Sequence, residues 1–197
     1  MSLKKQLTLA CSLFIVTPVY SADSDGAYAI EGAGIASCTH FLESAKKQDN
    51  SYFIFGGWIE GYFSASNQHT SNTFDLSPWQ STPLLLKITE SICTQKPDLK
   101  FHQVISSIAM DMTNQRLDHG GKFIPISEGS TNYVFQEEVI VRMKQVLKDK
   151  GLYDGNIDGE YDDPTKKAIK QFQKVAGQPE TGLPEQGTLY ELFKPKQ

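Results

Sequence analysis

The sequence contains little cysteine or tryptophan and no cluster of basic residues. Its 197 residues include 3 cysteines, 2 tryptophans and 19 basic residues against 23 acidic ones, for a net charge of −4. An acidic chain without a lysine- and arginine-rich stretch neutralises phosphates poorly, so we expect no nucleic-acid partner. A hydrophobic fraction of 39% excludes a disordered chain.

The usual catalytic and metal-ligating spacings are also missing. The sequence has no Gly-x-Ser-x-Gly, His-Glu-x-x-His or Cys-x-x-Cys pattern. Two of the carboxylates Glu43, Glu60 and Asp75 could form a hydrolase acid/base pair, but solvated surface positions account for them better. We therefore expect no catalytic set, no metal and no cofactor. The histidines, none of which is four positions from another, are His40, His69, His102 and His119.

The first 22 residues have the pattern of a secretory signal peptide. Two lysines precede an apolar run from Leu7 to Val16, which is too short to span a bilayer, and no acidic residue occurs before Asp23. We expect cleavage after Ser21 or Ala22, although a retained N-terminal anchor is the alternative. The mature chain is then periplasmic or secreted and has no further run long enough for a membrane span.

Two cysteines lie outside this leader. Cys38 and Cys93 are 55 positions apart, and an exported pair of this kind favours a disulfide. Closing such a loop stabilises a fold by roughly 4 kcal/mol in the chain-entropy model. A catalytic thiol or a metal site is the alternative, but no Cys/His cluster accompanies either residue.

Residues 27–117 have the apolar spacing of amphipathic helices. Side chains recur three or four positions apart, which predicts a domain of four helices. Ser77–Pro78 begins one turn, and Thr82–Pro83 begins a fresh helix because proline is tolerated in a first turn but not in a helix interior. The apolar positions of the four helices are Ile35, Cys38, Phe41, Leu42 and Ala45; Phe55, Trp58, Ile59, Tyr62 and Phe63; Leu85, Ile88 and Ile92; and Phe101, Val104, Ile105, Ile108 and Met112.

Residues 118–136 lack this period, and we expect a linker or irregular arm there. Residues 137–197 return to helical spacing and predict three short helices. Gly151 and Gly177 end the first two, and Asp163 is the expected N-cap of the second, with proline following. The sequence thus predicts an all-α protein, a disulfide-stapled four-helix domain followed by a small three-helix module. The apolar positions of the module are Val139, Ile140, Met143, Val146 and Leu147; Ala168, Ile169, Phe172, Val175 and Ala176; and Leu189, Leu192 and Phe193.

The strongest motif lies in this last segment. The sequence runs Gly151-Leu152-Tyr153-x-Gly155-x-Ile157-Asp158-Gly159-x-Tyr161, then Thr165-x2-Ala168-Ile169-x2-Phe172-Gln173 and Thr181-Gly182-Leu183-Pro184. The pattern resembles the peptidoglycan-binding-like domain family over nearly all of residues 137–193. That resemblance implies a three-helix cell-wall module with peptidoglycan as its partner. Two aspartates follow Tyr161, where the family often has glycine.

The loop of this motif contains the candidate binding residues. Asp158–Gly159 suits a turn with a positive φ, and Tyr153 and Tyr161 flank it, where they could stack on sugar rings. Asn156, Asp158 and Gln173 could contact hydroxyls and peptide amides. The alternative interpretation, that the two tyrosines belong to the core, stays open.

The same loop also suggests a second ligand. Asp154, Asn156, Asp158, Gly159 and Asp162 match the first nine positions of an EF-hand calcium loop. The twelfth position holds threonine, whereas that loop expects a bidentate glutamate. We therefore expect no metal, but the sequence alone leaves calcium binding open.

The four-helix segment resembles another group of proteins. The pattern Gly57-Trp58-Ile59-x-Gly61-Tyr62, with cysteines before and after it, is similar in layout to small exported helical domains such as the acid-stress chaperone HdeA and the Rap/Tai immunity proteins. Each helical glycine costs about 1 kcal/mol relative to alanine, so Gly56, Gly57 and Gly61 should be compensated by close approach of another helix or chain. Close packing within the bundle accounts for them best, and a homodimer contact or a ligand groove is the alternative. A protein partner or a homodimer remains possible for this domain.

These features together favour an exported, non-catalytic envelope or secreted protein. The C-terminal module would bind peptidoglycan, and the helical domain would mediate a protein–protein interaction. Two other classes remain as alternatives. One is a peptidoglycan hydrolase or peptidase, or an accessory to one. The other is an exported effector or immunity-type protein.

Overall fold

The computed structural model describes residue 23 and residues 25–194. The predicted signal peptide, residues 1–22, lies outside the described residues. The chain divides into two compact units, Met1–Ile30 and Glu31–Gln197, and the account below concerns the second. No described helix is both long enough and apolar enough to cross a bilayer.

The helical domain, residues 31–117, contains the four predicted helices. Ser37, Asp49 and Ser81 immediately precede three of them, and each side chain accepts a hydrogen bond from the backbone N–H three residues on. The predicted fresh start at residue 82 is therefore confirmed. Ile35, expected on the first helix, lies in a 3₁₀ turn before it and is exposed. The helices are α1 (Cys38–Lys47), α2 (Asn50–His69), α3 (Thr82–Gln95) and α4 (Phe101–Met112).

Three phenylalanine rings form the centre of this domain. Phe41 on α1, Phe55 on α2 and Phe101 on α4 have ring centroids 4.6 to 5.1 Å apart, in the edge-on and tilted arrangements that aromatic pairs prefer. Cys38 and Cys93, both fully buried, form a disulfide between α1 and the last turn of α3. The predicted pairing of the two cysteines is confirmed.

A β-hairpin follows the helical domain. Strands β1 (Phe123–Glu128) and β2 (Thr131–Gln136) pair antiparallel, and Gly129 adopts the positive φ that the turn requires. The all-α prediction omits this small sheet, and the predicted irregular arm contains it. Alternate side chains of the hairpin face inward, so Ile126 and Phe135 are buried while Phe123 and Val134 are exposed.

The C-terminal module, residues 137–194, contains α5 (Glu137–Asp149), α6 (Asp163–Val175) and α7 (Gln186–Phe193). The N-cap of α6 is Asp162 instead of the predicted Asp163, because the Asp162 carboxylate accepts the N–H of Thr165. Val175, expected on the buried face, is 79% exposed at the end of α6. The module core extends into the hairpin and comprises Ile126, Phe135, Val139, Ile140, Met143, Leu147, Tyr153, Ala168, Ile169, Phe172, Leu183, Leu189 and Leu192.

The helical domain and the C-terminal module share packed side chains. Trp79, in the loop before α3, packs against Phe193 on α7 in a tilted arrangement, with ring centroids 5.2 Å apart. The Arg142 guanidinium on α5 donates to the backbone carbonyls of Gln115 and Arg116, at the end of the helical domain. These contacts place both halves in one compact unit.

Candidate functional site

A buried lysine organises the loop that follows α5. Lys144 has no exposed side-chain surface, and its Nζ donates to Oδ1 of Asp158 at 2.5 Å. The same nitrogen lies 3.8 Å from Oδ1 of Asp162 and 5.6 Å from the centre of the Tyr153 ring. The ammonium therefore holds together the two ends of the loop that separates α5 from α6.

The charges of this cluster stabilise one another. Burial acts to lower the pKa of Lys144, but the hydrogen bond to Asp158 and the charge of Asp162 outweigh it, so the pKa is raised. The hydrogen bond from Lys144 holds the pKa of Asp158 below its usual range, and the N–H of Glu160 adds to this. Burial acts to raise the pKa of Asp162, but hydrogen bonds from Thr165 lower it overall. Both carboxylates are thus ionised at neutral pH.

Lys144 was not predicted from the sequence to be a site residue, although its position on the apolar face of α5 was a signal. Lys144 lies four positions after Ile140 and three before Leu147, which are both fully buried. A charged residue on the apolar face of a helix indicates a buried ion pair. Asp158, predicted to contact the ligand, uses Oδ1 for Lys144 and for the N–H of Glu160. Its first role is therefore to close the loop.

The two tyrosines of the motif lie in different environments. Tyr153 is 7% exposed, and its hydroxyl donates to the carbonyl oxygen of Asn156 at 2.8 Å. Tyr161 is half-buried, and its hydroxyl donates to the carbonyl oxygen of Gly182 at 2.6 Å. Burial raises the pKa of Tyr161 well above its usual range, with the charge of Glu128 adding to the effect. Neither ring is the open platform that sugar stacking needs, while the Asn156 side chain is exposed.

Gln173 does not reach the surface, which corrects its predicted contact with the ligand. The side chain is fully buried, and its amide nitrogen lies within hydrogen-bonding distance of Thr181 Oγ1, the Leu183 carbonyl and Thr188 Oγ1. Its oxygen accepts the N–H of Gly182 at 2.8 Å. Gln173 therefore fixes the turn between α6 and α7.

A groove of about 770 Å³ opens beside the ordered loop. One wall is the loop after α5, and the other is the first three turns of α6. Asp163, Lys167 and Gln171 are successive neighbours four positions apart, so they form a polar row along that helix. Tyr153 alone among the predicted binding residues lines the groove. The full lining is Gly151, Leu152, Tyr153, Asp154, Asp163, Pro164, Lys167, Ala168 and Gln171.

The charged side chains that line the groove are available to a ligand. Lys144 binds Asp158, and Lys166 forms an ion pair with Glu128 of the hairpin at 2.5 Å. By contrast, Asp154, Asp163 and Lys167 make no ion pair with any of the residues that the structure describes, and each is exposed. The groove thus offers charges of both signs to a ligand.

The arrangement does not favour calcium. The ammonium of Lys144 contacts Asp158 and lies near Asp162, two of the carboxylates that an EF-hand-like loop would turn toward the ion. Among residues 25–194, no three histidine, cysteine or acidic side chains come together as a metal-binding group. A cation of the protein itself therefore occupies the position between these carboxylates.

Comparison with known proteins finds a family similar to this module. Residues 136–192 match the family model described as "Putative peptidoglycan binding domain". Residues 136–192 are therefore similar to a peptidoglycan-binding domain. The match confirms the resemblance predicted for the C-terminal module, and it leaves out most of the hairpin. No curated protein and no solved structure matches the chain, so the resemblance of the helical domain to HdeA and Rap/Tai proteins has no support.

The helical domain presents a different surface from the peptidoglycan-binding domain. Phe53 and Ile54 on α2 are 68% and 61% exposed. A Cβ at Gly56 would lie 3.4 Å from Thr82 Cγ2, so α2 and α3 approach closely at this glycine, as predicted for packing within the bundle. A Cβ at Gly57 or Gly61 would have no described neighbour within 4 Å. The first half of α2 therefore exposes two large apolar side chains beside a glycine with open space around it.

Proposed function

We propose that this chain is an exported, non-catalytic protein of the cell envelope that binds peptidoglycan through its C-terminal module. The observation that carries the proposal is the match of residues 136–192 to the peptidoglycan-binding family. The groove between Gly151 and Gln171 lies within those residues. Its volume falls in the range of roughly 300 to 1,000 Å³ that is typical of ligand sites.

The helical domain is proposed to bind a protein partner or a second copy of the chain. Large exposed apolar side chains on one element are the feature that supports this role. α2 spans 20 residues, and Glu60 is its only lysine, arginine or acidic residue. That carboxylate accepts the hydroxyl of Thr82 at 2.7 Å, so it faces α3. A helix face with few charges and with exposed aromatic and aliphatic residues is typical of an interaction surface.

Co-sedimentation with purified peptidoglycan sacculi tests the proposal. Oxidised chain spanning residues 23–197 is expected to pellet with sacculi and to stay in the supernatant without them. The supernatant is also analysed for released muropeptides, and none is expected from a non-catalytic protein. Folded chain that remains wholly unbound would refute peptidoglycan binding. Steady release of muropeptides would refute the non-catalytic role and favour a hydrolase.

Export is tested separately in cells. The full chain with its leader is expected in the envelope or outside the cell, with Cys38 and Cys93 oxidised. Thiol labelling after denaturation measures that oxidation, because a formed disulfide leaves neither cysteine reactive. A chain retained in the cytoplasm, with both thiols reactive, would contradict export.

A further inference from the structure

The unpaired charges of the groove point to a zwitterionic ligand. We propose that the groove between the α5–α6 loop and α6 binds the stem peptide of peptidoglycan, and not its glycan strand. The inference rests on the proposed function and names the part of the polymer that this site takes. Stem peptides carry free carboxylates and, on their diamino acid, a free ammonium group. The repeating N-acetylated sugars of the strand offer no cation.

The charges are placed to receive both ends of such a peptide. Lys167 projects from the second turn of α6, and Asp163 lies one turn before it on the same helix. Four helical residues rise about 6 Å, close to the length of two residues of an extended peptide. A peptide carboxylate would bind Lys167, and its ammonium would lie between Asp163 and Asp154, which belongs to the facing wall.

The floor of the groove suits small side chains. The apolar part of its lining consists of Leu152, Pro164 and Ala168, with the nearly buried Tyr153. Methyl groups of alanine residues, which are frequent in stem peptides, can pack on such a floor. A sugar ring would need an aromatic face instead, and the Tyr153 hydroxyl is held against the carbonyl of Asn156 with its ring buried.

The position of Lys167 in the groove sets it apart from the other lysines on α6. Lys166 is bound to Glu128, and the stems of Lys166 and Lys170 pack around Gly182, where a Cβ would lie within 3 Å of either. These two side chains contribute to packing of the turn before α7. Lys167 lies in the groove and is the lysine that a ligand carboxylate can reach.

Competition for sacculus binding tests the inference with defined soluble probes. The probes are a stem pentapeptide with a free diamino-acid amino group, the same peptide acetylated on that amine, and a chitin oligosaccharide that stands in for the glycan. The free peptide is expected to displace the chain from sacculi. The acetylated peptide should bind about fivefold more weakly, the loss expected of one exposed ion pair. The oligosaccharide is expected not to compete.

Lys167→Gln and Asp154→Asn provide the matched test in the protein. Each substitution is expected to weaken binding of the peptide by about fivefold at low salt. The effect should be smaller at high salt because exposed charges are screened. Lys47→Gln and Asp98→Asn make the same charge changes at exposed positions outside the groove and should change nothing. Thermal unfolding confirms that each variant folds.

Different outcomes test the stem-peptide inference and the proposed function on which it rests. If folded Lys167→Gln and Asp154→Asn bind the peptide as tightly as the parent chain, the groove is not the peptide site. If the oligosaccharide competes and the peptide does not, the stem-peptide assignment is wrong while peptidoglycan binding stands. If the parent chain fails to sediment with sacculi, the proposed function itself is wrong.

Discussion

The side-chain amide of Gln186 donates a hydrogen bond to the backbone carbonyl of Trp79 at 2.7 Å, and its oxygen accepts the N–H of Ser81 at 2.8 Å. One side chain at the start of α7 thus satisfies two backbone groups of the loop before α3. Trp79 then packs its ring on Phe193, at the end of the same helix. The helical domain and the peptidoglycan-binding module are therefore joined by specific polar and aromatic contacts.

Replacing Gln186 by alanine should weaken the contact between the helical domain and the C-terminal module. The change leaves the Trp79 carbonyl and the Ser81 N–H without partners, and an unsatisfied group of this kind costs about 1–3 kcal/mol. Urea unfolding of the Gln186→Ala variant, followed by Trp79 fluorescence in a Trp58→Phe background, measures the loss. The Gln68→Ala change, at an exposed position of α2, is the control. Equal stability of the two variants would show that the hydrogen bonds of Gln186 contribute nothing to the free energy of unfolding.

Asp158→Asn should destabilise the peptidoglycan-binding module. The change leaves the buried ammonium of Lys144 with only Asp162 nearby, and a buried charge that loses its partner is costly. Thermal unfolding at pH 7 is expected to occur at a lower temperature than in the parent chain. Glu180→Gln, at an exposed position, should have no such effect. An unchanged midpoint for Asp158→Asn would mean that water replaces the lost carboxylate.

The same pair should give the stability a defined pH dependence. Because the pKa of Asp158 is lowered, its contribution is complete above about pH 4, the usual aspartate value, and is lost as pH falls through the folded-state pKa. Because the pKa of Lys144 is raised, its contribution is complete below about pH 10 and is lost as pH rises through the folded-state pKa. Chemical unfolding across pH 2–11 should show both losses, and Asp158→Asn should flatten the acid side.

Removing the disulfide should destabilise the helical domain. The bond closes a loop of 55 residues, which corresponds to about 4 kcal/mol in the chain-entropy model. The double variant Cys38→Ser, Cys93→Ser is compared with the oxidised chain by urea unfolding, and a reduced sample of the parent chain serves as the second comparison. A difference well below 1 kcal/mol in both comparisons would contradict the prediction.

The glycines of α2 should respond differently to alanine. Gly61→Ala is expected to stabilise the fold by about 1 kcal/mol, because alanine favours the helix and its Cβ has open space. Gly56→Ala should stabilise the fold less, since its Cβ would be 3.4 Å from Thr82 and 3.5 Å from Leu86. Thermal unfolding of both variants measures the difference. Equal gains would show that α2 and α3 move apart easily at Gly56.

Local patterns predicted the helices and the disulfide, because each depends on residues close in sequence or on a single pair. The start of α3 at Thr82 follows from a cap and a proline, and it is confirmed. The hairpin was missed because its alternation, with Ile124 and Ile126 on one strand and Tyr133 and Phe135 on the other, spans too few residues to stand out from an irregular segment.

The site was harder to predict because its residues come together only in the fold. Gln173 has the chemistry of a ligand contact, and only the turn at residues 181–183 shows that its amide is used internally. Lys144 and Asp158 are 14 positions apart, and no spacing rule pairs them. The groove charges at Asp163 and Lys167 were visible as helix residues, but their unpaired state is a property of the tertiary structure.

The contact between Trp79 and Phe193 has a mechanical consequence. A wall protein that carries its second domain on a loose tether lets that domain reorient freely, and tension first straightens the tether. If residues 136–192 bind peptidoglycan as proposed, the contacts between the two halves limit how far the α2 surface with Phe53 and Ile54 can reorient relative to the sacculus. Tension between that surface and the groove would therefore act on the contacts made by Trp79, Arg142 and Gln186 and not on a flexible linker.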